Sequence, residues 1–221
     1  ILFSSMLSDL YEINKNISVE LEERLLPLYK RRFKKINFIK QERKKMNKQY
    51  KKYIFMGSLG KFFRNSVKDF PTNRTSFLLS DNIKRDLYKT LLNKSLMKNI
   101  GISWQKNVDT SDKNISLSKL APIFNQKNCQ FIDLQYGNTQ NERSYIKEKF
   151  KVELIHFKEL NYKNDIDELA AIISNCDLII TVANFTAQLA GALGVPTLLL
   201  LSNMPDWRWF LNRSNSLWYP N

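Results

Sequence analysis

Asn184, Phe185, Thr186 and Gln188 open an apolar-periodic stretch, and their types at this spacing suit the holding of a phosphate group. An Asn just before a helix accepts a hydrogen bond from an amide of the first turn. The remaining amides, of Thr186 and Ala187, would point outward along the axis with the positive end of the helix dipole behind them, an environment that favours an oxyanion. Gln188 lies one turn further in and could donate its side-chain amide, and Thr186 could add a hydroxyl. The same residues also describe an ordinary capped helix whose amides bond water, with Thr186 bonding its preceding turn. Residue types alone leave both readings open.

The elements needed to position such a site are legible around it. Leu178 to Val182 is a β-branched strand run, Phe185 to Leu193 carries apolar residues at helical spacing, and Gly194 supplies the left-handed stop. Pro196 follows, and the unbroken run Thr197 to Leu201 predicts a parallel strand buried on both faces. In such βαβ units ligands sit beyond the carboxyl ends of the strands. Two other predicted strands end in polar residues. Ser103, Gln105 and Lys106 follow a strand that begins at Ile100 and could reach a diphosphate from the opposite side; Gln135, Tyr136 and Gly137 follow a strand from Gln130, where a base and ribose would lie. Each of these is also compatible with a plain loop, and Tyr136 with a half-buried loop aromatic.

Asn184-Phe-Thr-Ala-Gln-Leu-Ala-Gly-Ala-Leu-Gly-Val-Pro196, with Pro205-Asp-Trp-Arg-Trp209 and Leu217-Trp-Tyr-Pro220 downstream, resembles the carboxyl-terminal domain of heptosyltransferase-like glycosyltransferases, GT-B enzymes often fused to tetratricopeptide repeats. Gly101-Ile-Ser-Trp-Gln105, Phe131-Ile-Asp-Leu-Gln-Tyr-Gly137 and Tyr53-Ile-Phe-Met-Gly-Ser-Leu59 resemble other motifs of that family, so the similarity covers most of the chain. The resemblance implies an α/β chain of two Rossmann-like doubly wound domains facing a cleft, incomplete at both ends. The second would bind a nucleotide-diphosphate sugar through Ser103, Gln105, Lys106, Gln135, Tyr136, Gly137, Asn184, Phe185, Thr186 and Gln188. The first would take the acceptor near Gly57 and Ser58. The family commonly has Asp where Ala183 stands and His where Gln188 stands. Its acidic candidate base lies on a Gly-rich loop before the first helix. This sequence starts at Ile1, where that loop would have ended, so no catalytic residue is assigned; Asp9 and Glu12 are the nearest carboxylates.

Composition bounds the alternatives. No apolar run reaches the roughly 18 residues of a membrane span, and Ile1 to Met6 lacks a basic flank and cleavage site, so a cytoplasmic chain, at most peripheral to a membrane, is expected. Cys129 and Cys176 read as reduced, buried thiols, with a disulfide between them as the alternative. The only His is His156, read as a surface or satisfied core residue, and the acidic residues show no ligand spacing. No metal or cofactor is therefore expected beyond the sugar nucleotide as co-substrate. Residues 1–95 hold 22 Lys and Arg against 9 Asp and Glu, whereas residues 96–221 hold 13 against 12. The excess is densest from Lys30 to Lys52, a run that could meet an anionic membrane or simply be solvated, with nucleic acid not favoured. Phe33 and Phe38 within it read as core anchors.

Strand and helix signals alternate through both parts, with a boundary between Asn93 and Asn99 separating an acceptor-side domain (1–95) from a nucleotide-sugar domain (96–221). Further expected elements are a strand at Tyr53 to Met56, a helix from Asp81 to Lys94 with Ile83, Leu87, Leu91 and Leu92 on its apolar side, and an Asp165/Glu168 capping box before Ile166. Trp207 and Trp209 are expected to lock their loop, with Asp206 and Arg208 as a partly exposed pair. The function expected is metal-independent sugar transfer from a nucleotide-diphosphate donor to an unknown glycan, lipid or protein; the alternative is a non-catalytic module binding sugar nucleotides or polyanions.

Overall fold

The structure is a computed structural model describing residues 1–42, 50, 52–72, 76–92, 96–106 and 114–220. The proposed boundary falls partly on residues 93–95, outside this set, as do Arg43, Lys44, Lys45, Lys48 and Lys51 of the basic run.

The larger sheet decides where a ligand can sit. It contains β3 (Lys98–Ser103), β4 (Cys129–Asp133), β5 (Leu178–Val182) and β6 (Thr197–Leu200), all parallel, in the order β4-β3-β5-β6. Ile155 adds a parallel bridge outside β4. The chain thus runs outward from β3 to β4 and Ile155, then returns to the other side of β3 with β5 and β6. The direction reverses between β3 and β5, and their carboxyl ends form the topological switch point at which doubly wound sheets bind ligands.

Alternating residues put apolar groups on both faces. Phe131, Ile102 and Ile180 face one core with Trp104, Leu117 and Phe124; Ile132 and Ile179 face the other, which is covered by α7 (Ile166–Ile173) and α8 (Phe185–Leu193). Gly101 is required here, since a Cβ would lie 2.4 Å from Leu134 and 2.6 Å from Ile179. In α8, Gly191 admits the Tyr219 ring, which would sit 2.5 Å from any Cβ.

The first part of the chain contributes a 3₁₀ turn leading into α1 (Leu7–Ile13), then β1 (Ser18–Leu21), α2 (Leu26–Arg32) and β2 (Asn37–Lys40), with β1 and β2 parallel. Pro27 sits in the first turn of α2, where its missing N–H costs nothing. Phe33 and Phe38 are buried against Tyr29, as expected. Their core is continuous with the α7–α8 face of the larger sheet. Arg31 fastens the two, pairing bidentately with Asp167 at 2.9 and 3.0 Å. Lys40 pairs with Glu23, so the basic run is partly spent on internal pairs, while Lys30, Lys34 and Lys35 are exposed.

Four local expectations are corrected. Tyr53 to Met56 is no strand: residues 53–55 are exposed and pair with no strand among the described residues, and Met56–Leu59 is a 3₁₀ turn leading into α3 (Gly60–Phe63). In α4 (Asn82–Leu92) Ile83, Leu87 and Leu91 face outward, and the buried residues are Tyr88, edge-on to Phe157, and Leu92. The Asp165 side chain bonds the Asn161 amide instead of capping α7. Among the described residues β6 pairs with β5 alone, and Leu198 is exposed, so the run is not buried on both faces. The segment after β3 adds α5 (Ala121–Phe124), and α6 (Gln140–Phe150) follows β4. No helix among the described residues is long and apolar enough to cross a membrane.

Candidate functional site

Asn184 caps α8 as its type and position predict, with Oδ1 accepting from the Ala187 amide at 3.2 Å; the cap thus uses one of the two amides expected to face a phosphate, which corrects that expectation for Ala187. Its other atoms reach across the switch point: Nδ2 donates to Ser103 Oγ at 2.7 Å and to the Gln105 carbonyl at 3.1 Å. The end of β3 is held in turn from β4. Gln135 Oε1 accepts from Ser103 Oγ and from the backbone amides of Trp104 and Gln105, at 2.9, 3.0 and 2.9 Å. One connected hydrogen-bond network therefore spans the ends of β4, β3 and β5.

The predicted donor residues divide into two groups by burial. Ser103, Gln135, Asn184 and Thr186 are nearly inaccessible, and the first three are occupied with one another, so they shape the crevice floor. Gln105, Lys106, Tyr136, Phe185 and Gln188 are half-buried and Gly137 is exposed. The Gln188 amide and the Thr186 hydroxyl have no hydrogen-bond partner among the described residues. Lys106 Nζ pairs with Asp206 at 3.0 Å, and the Tyr136 hydroxyl bonds the Lys106 carbonyl, tying the crevice rim to the aromatic loop. On the opposite rim Arg24 lies over the Phe185 ring, 5.6 Å from its centroid. Gly57 and Ser58 fall in the Met56–Leu59 turn, with Gly57 against the Phe3 ring. Asp9 pairs with Arg64 at 2.8 Å and Glu12 with Lys15 at 3.0 Å.

Three residues of this region, Asp133, Glu142 and Arg143, were not singled out in the sequence, and a fourth, His156, was read there as a surface or satisfied core residue. Asp133, fully buried at the end of β4, receives the Gln135 amide on Oδ1 at 2.9 Å; on Oδ2 it receives Thr139 Oγ1 at 2.6 Å and lies 3.2 Å from Arg143 Nε. His156 Nδ1 is 3.0 Å from the same oxygen, close enough for an ion pair but off the line of a hydrogen bond. A charged residue closing an apolar strand was the available signal. Glu142 accepts from Trp104 Nε1 at 2.9 Å and from Gln105 Nε2 at 3.3 Å. A concavity of about 600 Å³ opens beside this cluster, lined by Gly137, Thr139, Arg143, His156 and Lys158.

Burial raises the Glu142 carboxyl above its ordinary value of 4.5, opposed by the Trp104 hydrogen bond and assisted by the Asp133 charge. A folded-state pKa above the unfolded one means that the native protein holds the proton more tightly, so Glu142 costs stability as pH rises from about 4.5 upward. Glu142→Gln keeps an acceptor for Trp104 and removes the charge. Its urea midpoint relative to wild type is expected to improve between acidic and neutral pH; an offset independent of pH would exclude this account.

No family model matches the chain. It is 27% identical to the protein FlbA of Caulobacter vibrioides over 241 residues, a match covering all of this chain and 40% of FlbA. The chain thus spans about 40% of that relative's length. Among solved structures, a glycosyl transferase family 9 protein from Veillonella parvula superposes with a TM-score of 0.63 at 11% identity, over 92% of this chain and 78% of that one. The fold is shared with a glycosyltransferase. The ADP-heptose lipopolysaccharide heptosyltransferase II of Escherichia coli matches more distantly, with a TM-score of 0.45 at 15% identity over 62% of this chain and 43% of that one. The α/β fold with parallel sheets expected from the sequence holds, and it is shared with the family 9 glycosyl transferase.

Proposed function

We propose that this chain is the core of a glycosyltransferase that moves a sugar from a nucleotide-diphosphate donor to a glycan, lipid or protein acceptor without a metal ion. The observation that carries the reading is the Asn184–Ser103 hydrogen bond, which fixes the opening of α8 across the β3–β5 switch point. In this reading the diphosphate lies on the Phe185 and Thr186 amides with Gln188 and Lys106 beside it, and the nucleoside extends toward Tyr136 and Gly137. As the bond from the sugar's anomeric carbon to the diphosphate oxygen breaks, negative charge grows on the leaving diphosphate. Fixed amide donors and the Lys106 ammonium stabilise that charge without reorganising. The acceptor hydroxyl attacks the anomeric carbon from the side of the Met56–Leu59 turn, its oxygen forming the new glycosidic bond as the diphosphate leaves and its proton passing to that diphosphate. The fold shared with a family 9 glycosyl transferase supports the transferase class.

Calorimetric titration of the full-length protein with UDP, GDP, ADP and CDP tests this directly. One of them is expected to bind in the concentration range of ordinary enzyme substrates. Heatless titrations with all four would remove the proposal.

A further inference from the structure

Trp207 and Trp209 behave differently in the structure, although the sequence reads both as loop anchors. Trp209 is buried against Tyr219 and does lock the loop. Trp207 is 62% exposed. An indole left in water forgoes burial worth on the order of 25 cal/mol per Å² of apolar area. It is also held in one orientation: Phe3 lies nearly parallel to it at 6.3 Å with an interplanar angle of 16°, and Trp218 meets it edge-on at 6.4 Å. The loop beneath is anchored by the Lys106–Asp206 pair, and the Arg208 guanidinium lies 6.0 Å from the indole centroid and bonds Asp206 at 3.3 Å.

The position of this ring is equally specific. Asp206, its neighbour, ties it to the rim of the donor crevice, and Phe3, its stacking partner, also packs on Gly57 of the acceptor-side turn. A rigid aromatic ring flanked by a carboxylate and a guanidinium is the chemistry that holds a sugar ring. The C–H groups on a pyranose face pack on the indole, and the equatorial hydroxyls find charged hydrogen-bonding partners at its edge.

We propose that Trp207 is the stacking platform for a pyranose ring at the junction of the donor crevice and the Met56–Leu59 turn. The inference rests on the glycosyltransferase reading for its location. The ring belongs either to the donor's sugar or to a glycan acceptor, and binding experiments separate the two.

The full-length protein and its Trp207→Ala and Trp207→Phe variants are titrated with UDP and UDP-glucose, GDP and GDP-mannose, and ADP and ADP-glucose, and are applied to a printed glycan array. If the ring is the donor's, Trp207→Ala weakens the nucleotide sugar about tenfold and leaves the matching diphosphate unchanged, and Trp207→Phe restores most of the loss. If it is the acceptor's, nucleotide sugars are unaffected and array binding is lost in Trp207→Ala. Unchanged nucleotide-sugar and glycan binding in Trp207→Ala overturns the platform while leaving the transferase reading intact. Failure of the unsubstituted protein to bind any nucleotide removes the transferase reading, whatever Trp207 does; the platform then stands only if the array shows Trp207-dependent glycan binding, and failure on the array too overturns it.

Discussion

Asp133→Ala is expected to destabilise the protein by about 3–5 kcal/mol, the usual cost of leaving one partner of a buried ion pair behind. The carboxylate has no solvent contact and serves four groups: the Gln135 amide, the Thr139 hydroxyl, the Arg143 guanidinium and the His156 ring. Its removal strands the Arg143 charge in a mostly buried setting and orphans a backbone amide. The damage reaches the crevice as well, because Gln135 is the acceptor that holds three donors of residues 103–105. Asp133→Asn retains an acceptor and the side-chain volume, and its cost is expected near the lower range for a lost charged hydrogen bond, about 1–3 kcal/mol. Urea denaturation of the two variants checks both figures. Equal costs for Ala and Asn would mean that loss of the negative charge accounts for the whole effect and side-chain volume for none of it; a cost below about 1 kcal/mol for Ala would show that the cluster is not a support at all.

The contrast between Asp133 and α8 shows what a sequence of this kind can disclose. β5, the Asn184 cap, α8 and the Gly194 stop fall at the predicted residues because every signal involved is local: β-branched residues, a capping amide and a left-handed glycine. The cluster of Asp133, Glu142, Arg143 and His156 depends on partners brought together by the crossover through α6, and no periodicity reports that. α4 was recognised as a helix from its spacing but with the wrong face inward, since the apolar row of Ile83, Leu87 and Leu91 was the more obvious one. What decided the burial was the ring of Tyr88 meeting Phe157 of a distant loop. Residues 53–55 have strand-like composition but no strand beside them among the described residues. Trp207 is a case of the same kind, because two identical residue types two positions apart differ only in what the 3₁₀ turn lets each one touch.

Substitutions at Asn184 separate the helix cap from the anion site that the transferase reading places on it. Asn184→Leu removes the cap, typically about 0.5–2 kcal/mol, and leaves Ser103 Oγ and the Gln105 carbonyl without their partner, so a total loss of about 2–4 kcal/mol is expected. Binding would be lost too, but an unstable fold explains that equally well. Asn184→Asp is the informative variant. An aspartate caps a helix as well as an asparagine, so Oδ1 still receives the Ala187 amide, but Oδ2 cannot donate to Ser103 Oγ or the Gln105 carbonyl, and stability is expected to fall by about 2–4 kcal/mol, as in the leucine variant. The new carboxylate, however, sits in the first turn, where the bound diphosphate would lie. Two negative charges about 4–6 Å apart at a partly buried site repel by roughly 3–4 kcal/mol, which lowers diphosphate affinity by about a hundredfold or more. Asn184→Ser keeps a neutral cap and is expected to bind diphosphate within about threefold of wild type, the modest loss coming from the shortened reach to Gln105. Stability from urea midpoints and affinity from calorimetry are measured on the same preparations. Should the aspartate variant hold its diphosphate as tightly as wild type, the anion does not sit at the opening of α8, and the nucleotide would have to be sought elsewhere along the strand ends.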